Sequence, residues 1–506
     1  MLIPTTMGFF TAQRALITSQ TGLDTVNHNI ANANTPGYSR QRVEVATQYA
    51  YQGPNPSNSQ PYQIGQGVLP SAIVRLRDSF LDAQYRQQSS TKGELDTGAD
   101  VLKQIEGIVD EPSFSGLATN MQRYFDAIAD MRNNPESLAA RNAFVQQAIG
   151  LTTVFQDQGQ QLMNLHENLV GKQNPNTLPS SQLGIRVADV NAKLASIAEL
   201  NRQINVISAS GASPNDLLDS RNNLVEELST LVKVDVTELA NNQVELRIGG
   251  ELLVKGPQKL DTLRLVLNTG ANRDAMPALV TTTTGGVDIT NKLGSGEMKA
   301  VLDFAGNNPN VENVYGVFSK LSQLFELMTS QFNTQQQAGR DLTGARNTTG
   351  TYSELFNTGS TYPGTGPALM HISVNAAFKT NPNRLALAAD DPTAPGGFAG
   401  PGDSRNAAAM AALKSQSNAS LDNGTYEVFH QSLVARLGTD TRAYIDRQES
   451  QSTLLQGLDS RRQSTSGVNL DEENLDLIKY QKAYQAAARV VQTMDQLYQA
   501  ILGILG

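Results

Sequence analysis

A seven-residue repeat of apolar side chains occurs at each end of this 506-residue chain. A repeat of seven that is split three and four predicts a helix that buries one narrow stripe against another helix. The N-terminal repeat consists of Phe9, Leu16, Leu23 and Ile30, with a second series of Ala12, Ser19, Val26 and Ala33. The C-terminal repeat consists of Leu470, Leu477, Tyr484, Val491, Tyr498 and Leu505, with a second series of Tyr480, Ala487, Met494 and Ile501. We therefore expect the two ends to pair as one coiled-coil-like unit.

Charged side chains are scarce on both predicted terminal helices. With His neutral, the only ones are Arg14 and Asp24 in residues 1–39, and Lys482, Arg489 and Asp495 in residues 480–506. A helix that packs on one side only normally carries a charged outer face. We therefore expect other subunits to contact these helices on several sides. The expected assembly contacts are Phe9, Leu16, Leu23, Val26, Ile30, Leu470, Leu477, Tyr480, Tyr484, Val491, Met494, Tyr498 and Ile501.

The composition argues against several classes of protein. A net charge of −9 disfavours nucleic acid and anionic membrane surfaces as main partners. The chain has no Cys, which excludes thiol nucleophiles, thiolate metal sites and disulfides. No apolar run reaches the roughly 18 residues that span a bilayer, so we expect no membrane insertion. The first ten residues lack the basic and long apolar segments of a cleaved signal peptide.

Helical periodicity dominates the chain, except in its middle. The predicted helices lie at about 6–33, 80–169, 187–207, 217–232, 311–337, 406–414 and 426–464, before the C-terminal heptad helix. From residue 234 apolar and polar side chains alternate, and the Gly-Gly pair at 249–250 predicts a β-hairpin. Further short strands are predicted over 260–303 and at 371–374. The sequence therefore predicts a mainly α fold with a β-containing middle.

A turn is predicted directly after the first helix. Thr35 precedes a proline and is therefore disfavoured in the α region. Pro36 and Gly37 form a pair that suits a turn. We expect this turn to direct the chain from the terminal helix into the helical domain.

The order of these segments predicts a nested, multidomain chain. Its length alone indicates about three domains. We expect a terminal coiled-coil-like domain from residues 1–38 and 466–506. A main helical domain should comprise 39–340 and 402–465, with the β-hairpin segment at about 234–303, and 341–401 should be a short loop-rich insertion. The alternative is three domains that follow one another along the chain.

The sequence gives little support for catalysis. None of the four His residues has a partner at metal-ligand spacing, and no phosphate-binding or dinucleotide-binding motif is present. The acidic cluster Asp471, Glu472 and Glu473 lies in the predicted first turn of the last helix, where negative charge stabilises the helix dipole. Asn469 and Glu472 together resemble a capping box. We therefore predict a protein that is not an enzyme, without catalytic residues, cofactor or metal.

Short motifs beside the terminal helices resemble those of the bacterial flagellar rod, hook and hook-associated proteins. Residues 29–40 read Asn-Ile-Ala-Asn-Ala-Asn-Thr-Pro-Gly-Tyr-Ser-Arg, which is similar to the N-terminal motif of this family. Residues 466–473, Ser-Gly-Val-Asn-Leu-Asp-Glu-Glu, and residues 480–486 resemble its C-terminal signature. The internal segments 215–222, 339–344 and 402–406 are similar to the hook-associated members in particular, so that the resemblance spans the whole chain.

This resemblance implies a structural role in the extracellular flagellum. It implies export through the flagellar apparatus without a cleaved signal peptide, and a short zone of subunits that joins hook to filament. The implied partners are copies of the same chain, the hook protein, a second junction protein, and an export chaperone that binds the C-terminal helix. The short interval 345–401 implies that the outer β domain of some relatives is small or absent. Alternatives are a hook or rod subunit, a secreted enzyme such as a wall hydrolase, and a membrane-inserting translocator.

Overall fold

Helices make up most of the structure, which is a computed structural model. It describes residues 6–49, 65–109, 116–172, 174, 176, 178–271, 274–357, 368–370 and 372–505. In these ranges short strands form four small antiparallel sheets between the helices. The prediction of a mainly α fold with a β-containing middle is confirmed. No helix in the described ranges combines the length and apolarity needed to cross a bilayer.

The predicted helices are present with ends that differ by a few residues, and the helical stretch predicted over 80–169 consists of three helices. The first helix ends at Ala31, two residues earlier than the sequence predicts. The helices are α1 (Thr6–Ala31), α2 (Ser79–Val109), α3 (Leu117–Asn133), α4 (Leu138–Val170), α5 (Gln182–Ala209), α6 (Asn215–Leu231), α7 (Glu297–Leu302), α8 (Val314–Ala338), α9 (Ala376–Thr380), α10 (Arg405–Ala412), α11 (Tyr426–Ser466) and α12 (Leu470–Leu505).

The strands form two hairpins, a four-stranded meander and a two-residue ladder. They are β1 (Gln41–Thr47), β2 (Val68–Arg75), β3 (Val234–Glu238), β4 (Val244–Ile248), β5 (Glu251–Lys255), β6 (Gln258–Lys259), β7 (Leu263–Leu267), β8 (Ala278–Thr282), β9 (Phe356–Asn357) and β10 (Ser373–Val374). The predicted hairpin is β4–β5, and its Gly249 and Gly250 both have positive φ, at 58° and 84°. The strand predicted at 371–374 corresponds to β10, while His371 lies outside the described residues.

One part of the predicted β region is wrong. The sequence predicts short strands throughout 260–303, but Glu297–Leu302 forms helix α7. In this segment Met298, Ala300, Val301 and Leu302 are all at most 1% exposed, whereas Glu297 and Lys299 are partly exposed. A run of six residues is too short for its pattern to decide between helix and strand.

Two helix pairs of the structure are long and antiparallel. Helix α1 lies along α12, and α2 lies along α11. At the start of α2, Asp82 pairs with Arg462 near the end of α11 at 3.0 Å. Farther along α2, Asp96 accepts a hydrogen bond from Gln448 at 2.9 Å. Helices from both halves of the chain therefore build each pair, in agreement with the nested order predicted from the sequence.

Aromatic side chains from α3, α4 and α8 fill the core of the helical body. The Tyr124 and Phe332 rings meet edge to face with centroids 5.0 Å apart, and Phe155 stacks on Phe325 at 4.2 Å. Each of these four side chains is completely buried, at 0% exposed. Burying one such side chain stabilises the fold by about 1.5–3 kcal/mol.

The segment 341–401, predicted as a loop-rich insertion, packs into this same core. Leu355, Phe356 and Leu387 within it are at most 1% exposed. Ala388 within it exchanges backbone hydrogen bonds of 2.8 and 3.1 Å with Arg340, the residue directly before the segment. Its described residues thus form part of the helical body.

Candidate functional site

The terminal helices α1 and α12 meet along small residues of α1. A Cβ added to Gly8 would lie 2.5 Å from Met494 Cε, and one added to Gly22 would lie 2.5 Å from Tyr480 Cε1. The fourteen-residue step from Gly8 to Gly22 matches an equal step back along α12, so the pairing is antiparallel and keeps the seven-residue register. Large side chains of α12 therefore lie directly against glycine positions of α1. Ala15 occupies the intermediate position of this series.

The packed seam of α1 is displaced by one residue from the first series that the sequence predicts. Three buried side chains, Ala12, Ser19 and Val26, belong to the second series, and Thr18, Thr25 and Asn29 are buried beside them. The first series flanks the seam half-buried, and its members are Phe9, Leu16, Leu23 and Ile30. The reason is steric, because the contact distance between two helices depends on the side chains at the contact. Glycine and alanine permit the closer approach that receives Tyr480 and Met494.

The predicted stripe of α12 corresponds more closely to its packed face. At alternating steps of three and four, its half-buried members are Leu477, Tyr480, Val491, Met494 and Tyr498. Ala487, within the same series, is 7% exposed. Tyr484 lies at the margin at 38%, and Leu470 is exposed at 48%. The side chains of Ile501 and Leu505 lie outside the described part of the chain.

The pair leaves large apolar side chains uncovered on both helices. Besides Leu470, they have exposed fractions from 45% to 69%, and they are Phe10, Ile17, Leu475, Ile478, Val490 and Leu497. We call these six side chains the outer apolar set. Exposed apolar residues in such number on one helix pair are typical of a surface that another protein covers.

The turn predicted after the first helix is present. Gly37 has a φ of 74°, in the left-handed region that favours glycine. A Cβ at this position would overlap the side-chain amide of Asn223, which lies on α6. Pro36 and Gly37 are both exposed, and the carbonyl oxygen of Pro36 accepts from Asn223 Nδ2 at 3.4 Å. The turn therefore lies against the helical body.

Directly after this turn, a polar network joins α1 to α12. Asn29 Nδ2 donates to Glu473 Oε2 at 3.0 Å and to the Gln41 carbonyl oxygen at 2.9 Å. Arg40 Nε donates to Glu473 Oε1 at 2.6 Å, and its Nη1 donates to Glu472 Oε2 at 2.6 Å. Both carboxylate oxygens of Glu473, which is 1% exposed, are thus satisfied, as a buried carboxylate requires. We call Asn29, Arg40, Gln41, Glu472 and Glu473 the clasp.

Tyr38 adds a hydrogen bond to the clasp. Its hydroxyl donates to Asn29 Oδ1 at 2.8 Å. Burial raises the pKa of Tyr38, and nearby carboxylates raise it further, so that the phenol stays protonated and can donate. The ring meets His28 edge on, with centroids 5.5 Å apart. The Thr-Pro-Gly-Tyr motif therefore supplies both the turn and a donor to the clasp.

The acidic cluster at the start of α12 differs in part from its predicted role. Asn469 Oδ1 accepts from the backbone N–H of Asp471 at 3.0 Å, which is a capping contact. Glu472, the predicted second member of a capping box, instead pairs with Arg40. The spacing of residues in one helix could not show this, because Arg40 lies on a different segment of the chain.

A second network fixes the clasp to the helical body at α6. The backbone N–H and the hydroxyl of Ser39 donate to Asp219 at 2.9 and 2.7 Å. Arg75, at the end of β2, pairs with the same carboxylate at 2.7 Å. Asn215 Nδ2 donates to Gln41 Oε1 at 3.0 Å. The structure thus brings three sequence motifs together, at 29–40, 215–222 and 466–473, in a joint that sequence reasoning did not predict.

Three protein-family models match separate parts of the chain. The model described as "Flagella basal body rod protein" matches residues 9–38, and "Flagellar basal body rod FlgEFG protein C-terminal" matches residues 460–504. Between them, "Flagellar hook-associated protein FlgK helical domain" matches residues 102–351. The paired terminal helices and the helical body therefore define a structural protein of the bacterial flagellum.

Relatives that align over almost the whole chain indicate which kind of flagellar structural protein it resembles. Flagellar hook-associated protein 1 of Bacillus subtilis is 28% identical and aligns with 99% of each chain. Flagellar hook-associated protein 1 of Salmonella typhimurium is 26% identical, covering 97% of this chain and 99% of the relative. The chain is therefore similar to flagellar hook-associated protein 1 over nearly its whole length. The fold is similar to that of the flagellar hook junction protein FlgK from Burkholderia pseudomallei, with a TM-score of 0.60 at 17% identity, over 76% of this chain and 100% of that chain.

The same matches also bear on the alternative functions predicted from the sequence and on the location of the protein. The rod-protein models match only the two ends, whereas the internal match and the full-length relatives are hook-associated proteins. A hook or rod subunit is therefore not favoured. The family is structural, and its members belong to the flagellum.

Proposed function

We propose that this chain joins the flagellar hook to the filament by forming a short tubular zone of copies. Neighbouring terminal helix pairs pack together in this zone and form its inner wall. The observation that carries the proposal is the outer apolar set, because the pair itself buries only a narrow seam. Each large apolar side chain that a neighbour covers contributes about 1.5–3 kcal/mol.

The contacts between copies involve both predicted and newly found residues. Half-buried members of the predicted stripes retain surface for a second partner, and the outer apolar set supplies the remainder. The participating side chains are Phe9, Leu16, Leu23, Ile30 and Tyr484 together with Phe10, Ile17, Leu475, Ile478, Val490 and Leu497. Val26, which is 4% exposed, acts within the subunit.

The assembly unit has two parts. The terminal domain comprises residues 1–38 and 466–506, and the main helical domain comprises 39–340 and 402–465. The clasp and the contacts of Ser39 with Asp219 lie between these parts, which supports a division at this place. Segment 341–401 packs on the main domain and projects no large outer domain within its described residues.

The resemblance to hook-associated proteins implies several assembly partners and an export route. The zone contacts the hook protein on one side and a second junction protein on the other. The chain leaves the cell through the flagellar export apparatus. An export chaperone binds the C-terminal helix beforehand, because the exposed apolar side chains of α12 require cover until assembly.

Substitution of the outer apolar set tests this function in a strain without its own copy of the gene. Wild-type protein should restore swimming and filaments attached to hooks. The double variant Ile478→Gln/Leu497→Gln should fold and be exported, yet leave hooks without filaments. Leu454→Gln, which changes an equally exposed leucine on α11, is the matched control and should restore swimming.

A deletion of residues 470–506 is a second test of the proposed function. It removes α12 and should abolish attachment of filament to hook. Normal swimming of the deletion strain would contradict the proposal. Hooks that lengthen into long homopolymers of this protein would instead indicate a hook or rod subunit.

A further inference from the structure

Arg86 on α2 is an unpaired cation in an otherwise paired group of charges. Among the partly or fully buried Arg and Lys side chains in the described ranges, it alone has neither an ion pair nor a hydrogen bond. Burial lowers the pKa of Arg86, but an arginine remains cationic at neutral pH. Asp82 and Glu226 attract the Arg86 charge and oppose this lowering, but neither carboxylate forms an ion pair with it.

The carboxylates near Arg86 are already in use. Asp82 pairs with Arg77 at 2.8 Å and with Arg462 at 3.0 Å. Glu226 pairs with the same two arginines at 3.3 and 2.5 Å. Two carboxylates therefore serve two arginines, and Arg86 is the cation left over.

The side chain of Arg86 lines a cavity between α2 and β3. The cavity has a volume of about 240 Å³. Its lining residues are Ala83, Arg86, Gln87, Ser90, Lys233, Val234, Asp235 and Val236. We call it the Arg86 pocket. Strand β3 is the edge of its sheet, so one side of the strand is free of other strands. Lys233 is exposed there and adds a second positive charge.

We propose that the Arg86 pocket binds a carboxylate side chain of a second copy of this chain. A guanidinium binds a carboxylate through two parallel hydrogen bonds, and Lys233 strengthens the attraction. The chain itself carries 48 acidic side chains against 39 basic ones, so a neighbouring copy offers the complementary charge. The proposal rests on the proposed function, because that function brings copies into contact.

Arg86→Gln separates an assembly role from a structural role. The purified monomer should have a melting temperature equal to or above that of the wild type, because the change removes an unpaired half-buried charge. Filament attachment in the deletion strain should fall on the order of tenfold or more, since a paired charge at an interface is lost. Arg202→Gln, which changes an exposed arginine on α5, should behave as wild type.

Two further variants test the occupant. The chain has no Cys, so Gln87→Cys places a single thiol at the pocket while Arg86 is kept. Maleimide should label this thiol in purified monomer and react on the order of tenfold more slowly in hook–filament preparations. Asp235→Asn should leave attachment unchanged, because the carboxylate comes from another copy.

The outcomes distinguish failure of this inference from failure of the proposed function on which it rests. Failure of the wild-type gene to restore attachment contradicts the proposed function. If the wild type succeeds, then normal attachment with Arg86→Gln, a lower melting temperature of that variant, or equal labelling of Gln87→Cys in both states overturns the inference. Loss of attachment with Asp235→Asn also overturns it, because the pocket would then be closed from within one chain.

Discussion

Asn29 and Glu473 lie 444 positions apart in the chain and share a buried hydrogen bond of 3.0 Å. The contact fixes the end of α1 to the start of α12, and Arg40 completes it from the opposite side of the carboxylate. The two ends of the chain are therefore joined by a specific polar contact as well as by an apolar seam. A polar contact of this kind sets the register of the pair, which an apolar stripe of repeated spacing leaves open.

Glu473→Gln should weaken the terminal pair strongly. The change leaves the Arg40 guanidinium, which is 19% exposed, without its buried partner. Breaking a buried pair costs roughly 3–5 kcal/mol, and we expect the lower end because Arg40 is partly solvated. Hydrogen exchange of α1 amides would measure the free energy of local opening. Glu472→Gln is the control, because Glu472 is 56% exposed and should cost less than about 1 kcal/mol. Equal effects of the two changes would show that the clasp does not hold the pair.

The two seam glycines should respond in opposite directions to alanine. Gly22→Ala places a methyl group against the Tyr480 ring, so the helices must separate and the pair should lose stability. Gly8→Ala meets only the flexible end of Met494, and the gain in helix propensity of about 1 kcal/mol should prevail. Protease protection of α12 would report both effects. A stabilised Gly22→Ala variant would refute the close contact at Tyr480.

Gly37→Ala should destabilise the joint by more than its backbone conformation explains. Left-handed φ alone costs a non-glycine residue about 1–2 kcal/mol. Gly211 has a similar φ of 83° with open space around its Cβ position, so Gly211→Ala measures this backbone cost alone. Gly37→Ala adds the overlap with Asn223, and thermal unfolding should show the larger loss. Equal losses would mean that Asn223 yields freely.

His166 should make the helical body sensitive to mild acid. Burial lowers the pKa of His166, and its Nε2 lies 2.7 Å from the Ala275 carbonyl oxygen. The unfolded chain binds this proton at a pKa of about 6.5, above the folded value, so it binds more protons below that pH. Stability is therefore complete above about pH 6.5 and declines as the pH falls toward the folded pKa. Denaturant unfolding of wild type and His166→Gln across pH 7 to 5 should show a smaller decline in the variant, and parallel curves would contradict this.

The periodicity of the sequence was sufficient to locate most helices and the β4–β5 hairpin. It was also sufficient to predict the turn at Gly37, because a Pro-Gly pair limits the backbone to few conformations. It was insufficient for α7, which is only six residues long. Of the two series predicted for α1, the second is buried as expected. The first lies one residue away from the glycine positions, since large apolar residues such as Phe9 suggested a stripe that lies beside the glycines.

The clasp shows a second limit of prediction from the sequence. All of its residues except Gln41 belong to a motif that the sequence singles out, yet their meeting depends on segments that are hundreds of positions apart. Glu472 illustrates the consequence, because its position in α12 suggested a contact within the helix while Arg40 takes the carboxylate. The spacing of residues within one helix does not predict such pairs.

The sequence by itself determined that both ends are helices with narrow apolar stripes and few charges, because side-chain periodicity and composition are local properties of a chain. It also determined the family resemblance through short motifs. Tertiary structure alone decided which face of α1 is buried, that three motifs meet at one joint, and that Arg86 is left unpaired. These features depend on distances between segments that are remote in sequence, and only the packing of the whole chain sets those distances.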